Sequence, residues 1–113
     1  MSSMRFMRRD FWAIMRLGQL FISKSDNSQN EAAAKKLVYG LADFLSPEDM
    51  ENTVRMAGML DFESSVATLS ILGSEEQQWA KELIYSIATI DGEMNAEQAR
   101  MWEYIENNTG FNL

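Results

Sequence analysis

The chain has 113 residues and contains neither cysteine nor histidine. Without cysteine, disulfide bonds and thiol chemistry are excluded. Without histidine, the chain lacks the usual neutral-pH general base, the Ser-His-Asp and Cys-His arrangements, and the ligand of most zinc and iron sites. Any catalysis would depend on carboxylates, lysine or a bound cation. We therefore expect a protein that is not an enzyme.

Proline and glycine are also scarce, with one proline and six glycines in the chain. A hydrophobic fraction of 46% together with few turn formers favours long helices around one core. The length suits one domain. We predict an all-α fold in which residues 1–113 form a single bundle of five to six helices. No stretch approaches the roughly 20 apolar residues of a membrane span, and no secretory-signal pattern is evident, so we expect a cytoplasmic protein.

Charge is distributed unevenly along the chain, whose net charge is −7. Residues 1–25 hold five basic residues and one acidic residue, whereas the remainder holds five basic and sixteen acidic residues. We predict a basic N-terminal helix over residues 4–22, a polar connector over residues 23–30, and an acidic body over residues 28–113. An acidic body repels nucleic-acid backbones, so we expect it not to bind nucleic acid directly.

Helix-capping signals divide the acidic body. Side-chain oxygens at the first position of a helix satisfy free backbone N–H groups, and such residues occur at Ser28, Ser46, Ser74 and Asn95. The signals predict helices over residues 29–44, 47–60, 62–72, 75–90 and 96–109. Apolar residues at helical spacing predict the buried face of each helix; they include Leu37, Val38, Leu41, Phe44, Met50, Val54, Ala57, Ala99 and Trp102.

An internal repeat relates two of these helices. Residues 34–42 read AKKLVYGLA and residues 80–88 read AKELIYSIA, an offset of 46 residues. In both places a capped helix start follows, at Ser46 and at Asn95. We predict a duplicated helical hairpin, because two hairpins can bury their apolar faces against each other. Convergence of two amphipathic helices on similar core residues is the alternative.

The segment from Tyr85 to Glu97 resembles the signature of the TerB-like (tellurite-resistance B) family. It has an apolar helix that ends in a small residue, then Asp91-Gly92-Glu93, an apolar residue, a capping residue and a glutamate that opens the next helix. The resemblance covers mainly residues 77–111. It implies an all-helical fold of two pseudo-repeated halves, a link to stress response and phage resistance, and a divalent-cation site formed by Asp91, Glu93 and Glu97, for which calcium is the candidate cation.

A simpler interpretation of the same three acids is structural. Gly92 would supply a positive φ for the turn, Asp91 would hydrogen-bond the turn backbone, and Glu97 would favour the dipole of the following helix. The loop also lacks the ligand spacing of an EF-hand. Both interpretations stay open on the sequence.

Two groups of residues are candidates for contact with a protein partner. The first is the basic edge Arg5, Arg8 and Arg9 with Trp12, which could also form a peripheral membrane contact through residues 4–22. The alternative is a core helix with a solvated basic edge. The second is Met56 with Met59, which lie off the predicted buried stripe of their helix. The alternative for these methionines is ordinary core filling.

The favoured function is a non-enzymatic protein-interaction or adaptor module of a bacterial or phage complex, with stress response or phage defence implied by the resemblance. One alternative is an acidic inhibitor that mimics nucleic acid and binds a nucleic-acid-binding protein. Another is a divalent-cation-binding stress protein. Self-association into a homo-oligomer is compatible with all three.

Overall fold

The computed structural model describes residues 4–25 and 30–110, and the regular structure in these ranges is entirely helical. The all-α prediction is therefore confirmed. One cluster of buried apolar side chains draws on all six helices. The helices are α1 (Arg8–Ser23), α2 (Asn30–Leu41), α3 (Pro47–Ala57), α4 (Phe62–Ser70), α5 (Ser74–Ala88) and α6 (Ala96–Asn108).

The first helix begins one turn later than the sequence predicts. Residues 4–7 are not helical, because the backbone N–H of Met7 donates to the Oδ2 of Asp10 at 2.6 Å. The backbone N–H of Arg5 donates to the Oε2 of Glu76, 2.7 Å away on α5. The predicted helix over 4–22 is thus wrong in its first turn. Contacts to α5 hold this segment in place instead.

Helix α1 is the centre of the bundle and packs against α2, α3, α4 and α5. Its apolar face is buried, including Phe11, Ile14, Leu17 and Phe21. At Gly18 the helix approaches α2 so closely that an added Cβ would lie 2.6 Å from a methyl carbon of Leu37. Of the two interpretations of residues 4–22, the core helix with a basic edge describes α1. The apolar face that a membrane contact would need lies inside the protein.

Two of the predicted caps are present. The Oγ of Ser46 accepts the backbone N–H of Asp49 at 3.1 Å, and Pro47 occupies the first helical position of α3. Asn95 and Gln98 form a reciprocal capping box at the start of α6, each side chain accepting the other's backbone N–H. The predicted pairing of Ser28 with Glu31 lies outside the described residues.

The predicted capping box at Ser74 is wrong. Gly73 is the N-cap of α5 and has no side chain to offer, so no side-chain cap hydrogen bond forms. The side chain of Gln77, which would complete that box, donates instead to the backbone carbonyl of Leu69 at 2.9 Å. Conversely, the sequence reasoning missed the cap of α4, where Asp61 accepts the backbone N–H of Ser64 at 2.8 Å.

The two copies of the repeat lie in α2 and α5, which pack against each other. Each repeated leucine faces a glycine: Leu37 faces Gly18, and Leu83 faces Gly40. Their burial nevertheless differs. In α5, Ala80, Ile84 and Ala88 are fully enclosed, whereas the equivalent Ala34 and Val38 of α2, and Ala42 just after it, are exposed.

Several residues predicted to be buried are therefore exposed: Val38, Phe44, Val54 and Ala99. Helix α2 buries Ala33, Leu37 and Leu41. Because α2 lies at the side of the bundle, its remaining apolar residues face outward. The apolar pattern of α2 is that of an enclosed helix, but its position is that of a surface helix.

Candidate functional site

The repeated tyrosines, Tyr39 and Tyr85, line two separate clefts of similar size. The Tyr39 cleft lies between α2 and α5, has a volume of about 580 Å³ and carries Lys35 and Lys36 at its wall. The Tyr85 cleft has a volume of about 510 Å³ and lies between α5, the turn after it and α6. Equivalent positions in the two copies thus contribute to clefts of opposite charge, since the Tyr85 cleft carries glutamates.

The Tyr85 cleft combines aromatic, apolar and acidic groups. The ring of Tyr85 is tilted against that of Trp102, with 5.1 Å between their centroids. The turn gives the cleft its shape, because Gly92 has a φ of +117°, which L side chains rarely adopt. This confirms the predicted role of Gly92. The lining includes Tyr85, Thr89, Glu93, Met94, Trp102 and Glu106.

A buried ion pair supports one wall of this cleft. The Nζ of Lys81 lies 3.3 Å from the Oε2 of Glu106, and the Lys81 side chain is fully enclosed. Among the described residues, that Nζ has no hydrogen-bond acceptor in good geometry. Its repeat counterpart, Lys35, is exposed and pairs with Glu31 on the surface. The charge of Lys81 is therefore balanced by a carboxylate at the cleft.

A third cleft, which we call the α2–α3 groove, is lined by Val38, Ala42, Leu45, Pro47 and Met50, with Glu51 at its edge. Its volume is about 550 Å³. The turn between α2 and α3 creates it. The backbone N–H of Leu45 donates to the carbonyl of Leu41, and α3 begins two residues later at Pro47. Leu45 and Met50 flank the Ser46 cap on this surface, at the spacing of a hydrophobic staple.

Four aromatic rings hold the N-terminal segment against the bundle. Phe6, Phe11, Phe44 and Trp79 have neighbouring centroids 5.0 to 5.6 Å apart. Beside them, the backbone N–H of Arg5 donates to Glu76 and lowers the pKa of that carboxyl. A hydrogen bond to the charged form has this effect. The extended segment is thus held by aromatic packing and by one charge-assisted hydrogen bond.

The three acids of the predicted cation site have different surroundings. Asp91 and Glu93 are exposed in the turn, whereas the Oε2 of Glu97 lies 3.2 Å from the Nζ of Lys24. Within residues 4–25 and 30–110, no group of three or more acidic side chains is arranged to hold a metal ion. The calcium site at Asp91, Glu93 and Glu97 stays a prediction without geometric support.

The predicted partner-binding residues lie in two places: on α1 and the segment before it, and at the end of α3. Arg5, Arg8 and Arg9 are exposed, and Arg8 with Trp12 lines a cavity of about 190 Å³ between α1 and α3. Met56 is partly buried on α3, and Met59, after the end of α3, is 76% exposed. The structure therefore brings Arg8 and Trp12 to the edge of α3.

Sequence reasoning missed the α2–α3 groove and both tyrosine clefts. Hydrophobic periodicity assigned Val38 to the core because it cannot distinguish a surface helix with an apolar face from an enclosed one. The repeat carried a usable signal, since Tyr39 and Tyr85 are retained at equivalent positions. Tyrosine is commonly found where one end of the side chain meets water.

In the part of the chain that the structure describes, six helices form an α-helical bundle with an apolar groove at the first copy of the repeat. Comparisons of the chain with models of known protein families, with curated proteins and with solved structures find no match. The TerB-like resemblance of residues 77–111 stays a prediction. No helix among the described residues has both the length and the apolar character needed to cross a membrane.

Proposed function

We propose that this chain is a non-enzymatic protein-interaction module that binds a helix of a partner protein in the α2–α3 groove. One observation carries the proposal. Residues of α5 that are enclosed in the core have apolar counterparts in α2 that face solvent, and Val38 and Ala42 line the groove. A contiguous exposed apolar surface is typical of a protein contact.

The chemistry of the groove supports a helical occupant. Val38 on α2 and Ala42 just after it line the groove together with Leu45, Pro47 and Met50. A groove between two helices accepts the apolar face of a third, whose anchoring residues recur every three to four positions. Met50 can adapt its shape to such anchors, because its side chain is unbranched and flexible.

The proposal also includes the cellular location and setting of this module. We place the module in the cytoplasm, as an adaptor in a bacterial or phage complex, and the resemblance of residues 77–111 adds stress response or phage defence as its setting. The lack of histidine and cysteine supports a role without catalysis. Cell fractionation tests the location.

The test compares two exposed residues of similar shape. The tagged chain is expressed in its own host, the associated proteins are identified by mass spectrometry, and binding of the purified partner is measured by calorimetry. Val38→Glu places a charge in the groove and should weaken binding at least tenfold. Ile71→Glu is the matched control, because Ile71 is an exposed residue that follows α4.

Two outcomes would contradict the proposal: a partner that binds Val38→Glu as tightly as the unaltered chain, or no specific partner at all. A nucleic-acid-binding partner whose affinity falls steeply with salt, but is insensitive to Val38→Glu, would instead favour the acidic inhibitor. Thermal stabilisation by calcium that Asp91→Asn with Glu97→Gln abolishes would favour the cation-binding stress protein.

A further inference from the structure

We propose that the Tyr85 cleft is a binding site for an organic cation, namely an alkylammonium or guanidinium group carried on an apolar stem. The cleft shares no lining residue with the α2–α3 groove, so this site is separate from the proposed partner contact. Its volume of about 510 Å³ is within the usual range for small-ligand pockets.

An aromatic surface is the first requirement of such a site, and Tyr85 supplies it. Its side chain is 43% exposed, and its ring is tilted by 59° against Trp102 rather than stacked on it. The faces of aromatic rings attract cations within about 6 Å of the ring centre. Met94 and Ala99, which also line the cleft, offer apolar surface for the stem of the ligand.

The charge of the cleft is the second requirement. Glu93 and Glu106 both line it, and Glu106 is paired with the enclosed Lys81. Since that pair is neutral as a unit, Glu93 leaves the lining with an excess negative charge. The wider field has the same sign, because residues 74–110 hold two basic and eight acidic residues. A single positive charge therefore complements the cleft.

The other copy of the repeat provides an internal comparison. Tyr39 occupies the equivalent helical position and also lines a cleft, but Lys35 and Lys36 lie there in place of the two glutamates. A cation would be repelled by those ammonium groups. Binding that depends on Tyr85 and not on Tyr39 would therefore report the combination of ring and carboxylate rather than an exposed tyrosine alone.

The same chemistry could come from a free diamine or from a lysine side chain of a protein. Two probes distinguish these sources: putrescine, and a ten-residue peptide in which lysine alternates with serine. Each is titrated into ¹⁵N-labelled protein at about 10 mM ionic strength, where the Debye length is about 30 Å. The amide signals of Thr89 and Gly92 and the indole N–H of Trp102 report on the cleft.

We expect saturable shifts of these signals with a millimolar dissociation constant. Tyr85→Leu keeps an apolar side chain but removes the aromatic face, and should weaken binding about fivefold. Glu93→Gln should weaken it about two- to threefold. Tyr39→Leu is the matched control and should leave the affinity unchanged. The probe that binds more tightly identifies the source of the cation.

The proposal is overturned if neither probe shifts the signals of the cleft, or if the shifts centre on the Tyr39 cleft. It is also overturned if Tyr85→Leu and Tyr39→Leu bind equally well. Should Tyr85→Leu fail to fold, Glu93→Gln decides the question, because the exposed side chain of Glu93 can change without disturbing the core. An unchanged affinity in that variant would refute the site.

Discussion

The buried pair Lys81–Glu106 predicts that its two partners differ sharply in their effect on stability. The ammonium of Lys81 is fully enclosed, and the carboxylate of Glu106 lies 3.3 Å away with its side chain 24% exposed. Glu106→Gln leaves the buried charge uncompensated, which costs about 3–5 kcal/mol in such pairs. Lys81→Met removes the buried charge and leaves a carboxylate that water can reach. We expect the free energy of unfolding of Lys81→Met to stay within about 1 kcal/mol of that of the unaltered chain.

The matched control is the other lysine of the repeat. Lys35 pairs with Glu31 at 3.5 Å on the surface, and both side chains are largely exposed. An exposed pair of this kind contributes about 0.3–0.5 kcal/mol, so Lys35→Met should have little effect. The two lysines hold equivalent positions in the repeat. The comparison therefore isolates burial from residue type and helix position.

Urea unfolding followed by tryptophan fluorescence measures these differences. With a slope of about 1–3 kcal/mol per molar urea, a loss of 3 kcal/mol lowers the midpoint by about 1–3 M. The double variant Lys81→Met with Glu106→Gln should recover most of that loss, because neither partner is then charged. Equal destabilisation by Glu106→Gln and Lys81→Met would refute the reasoning. Such a result would show that the attraction between the two charges, and not the burial of Lys81, determines how the pair contributes to stability.

Three further predictions concern packing and the termini of helices. Gly18→Ala should cost about 1–3 kcal/mol, because its Cβ would lie 2.6 Å from a methyl carbon of the buried Leu37. Gly40→Ala should cost less, because its Cβ would displace a methyl group of the partly buried Leu83, 2.7 Å away, while helix propensity favours alanine by about 0.5–1 kcal/mol. Equal urea midpoints of the two variants would refute the distinction. Glu76→Gln should speed tryptic cleavage in residues 5–9, whereas Glu63→Gln should not, and unchanged cleavage would argue against the hydrogen bond to the N-terminal segment. Asp61→Ala should lower the urea midpoint at pH 7. The backbone hydrogen bond from Ser64 lowers the pKa of Asp61 below 3.8, so the loss of stability in Asp61→Ala should persist down to about pH 4 and become smaller in stronger acid. A loss of stability that does not change with pH would contradict a role of the ionised carboxylate.

Local signals in the sequence predicted those parts of the fold that local interactions determine. The caps at Ser46 and Asn95 are satisfied within three residues, so the starts of α3 and α6 followed from the sequence. The start of α1 was mispredicted because two contacts were missed: Asp10 accepts the backbone N–H of Met7, and Arg5 binds Glu76, 71 residues away along the chain. The cap predicted at Ser74 failed because Ser74 is already the first residue of α5, with Gly73 as its N-cap.

The candidate sites depend on which face of each helix the bundle encloses. The repeat gives α2 and α5 nearly the same apolar residues, and periodicity alone assigns both to the core. Tertiary packing decides between them: α1 packs beside both α5 and α2, but Val38 and Ala42 stay outside. Sequence reasoning therefore identified the repeat, but not which copy would form a surface.

The central position of α1 also affects how the protein forms during synthesis. This helix leaves the ribosome before the helices that cover it, and one of them, α5, ends 65 residues after Ser23. At a synthesis rate of about 5–20 residues per second, the apolar face of α1 stays uncovered by α5 for roughly 3–13 s. Throughout this interval the nascent chain presents an amphipathic helix with a basic edge. The helix at the centre of the finished bundle is thus accessible to chaperones and to premature association while the chain is being made.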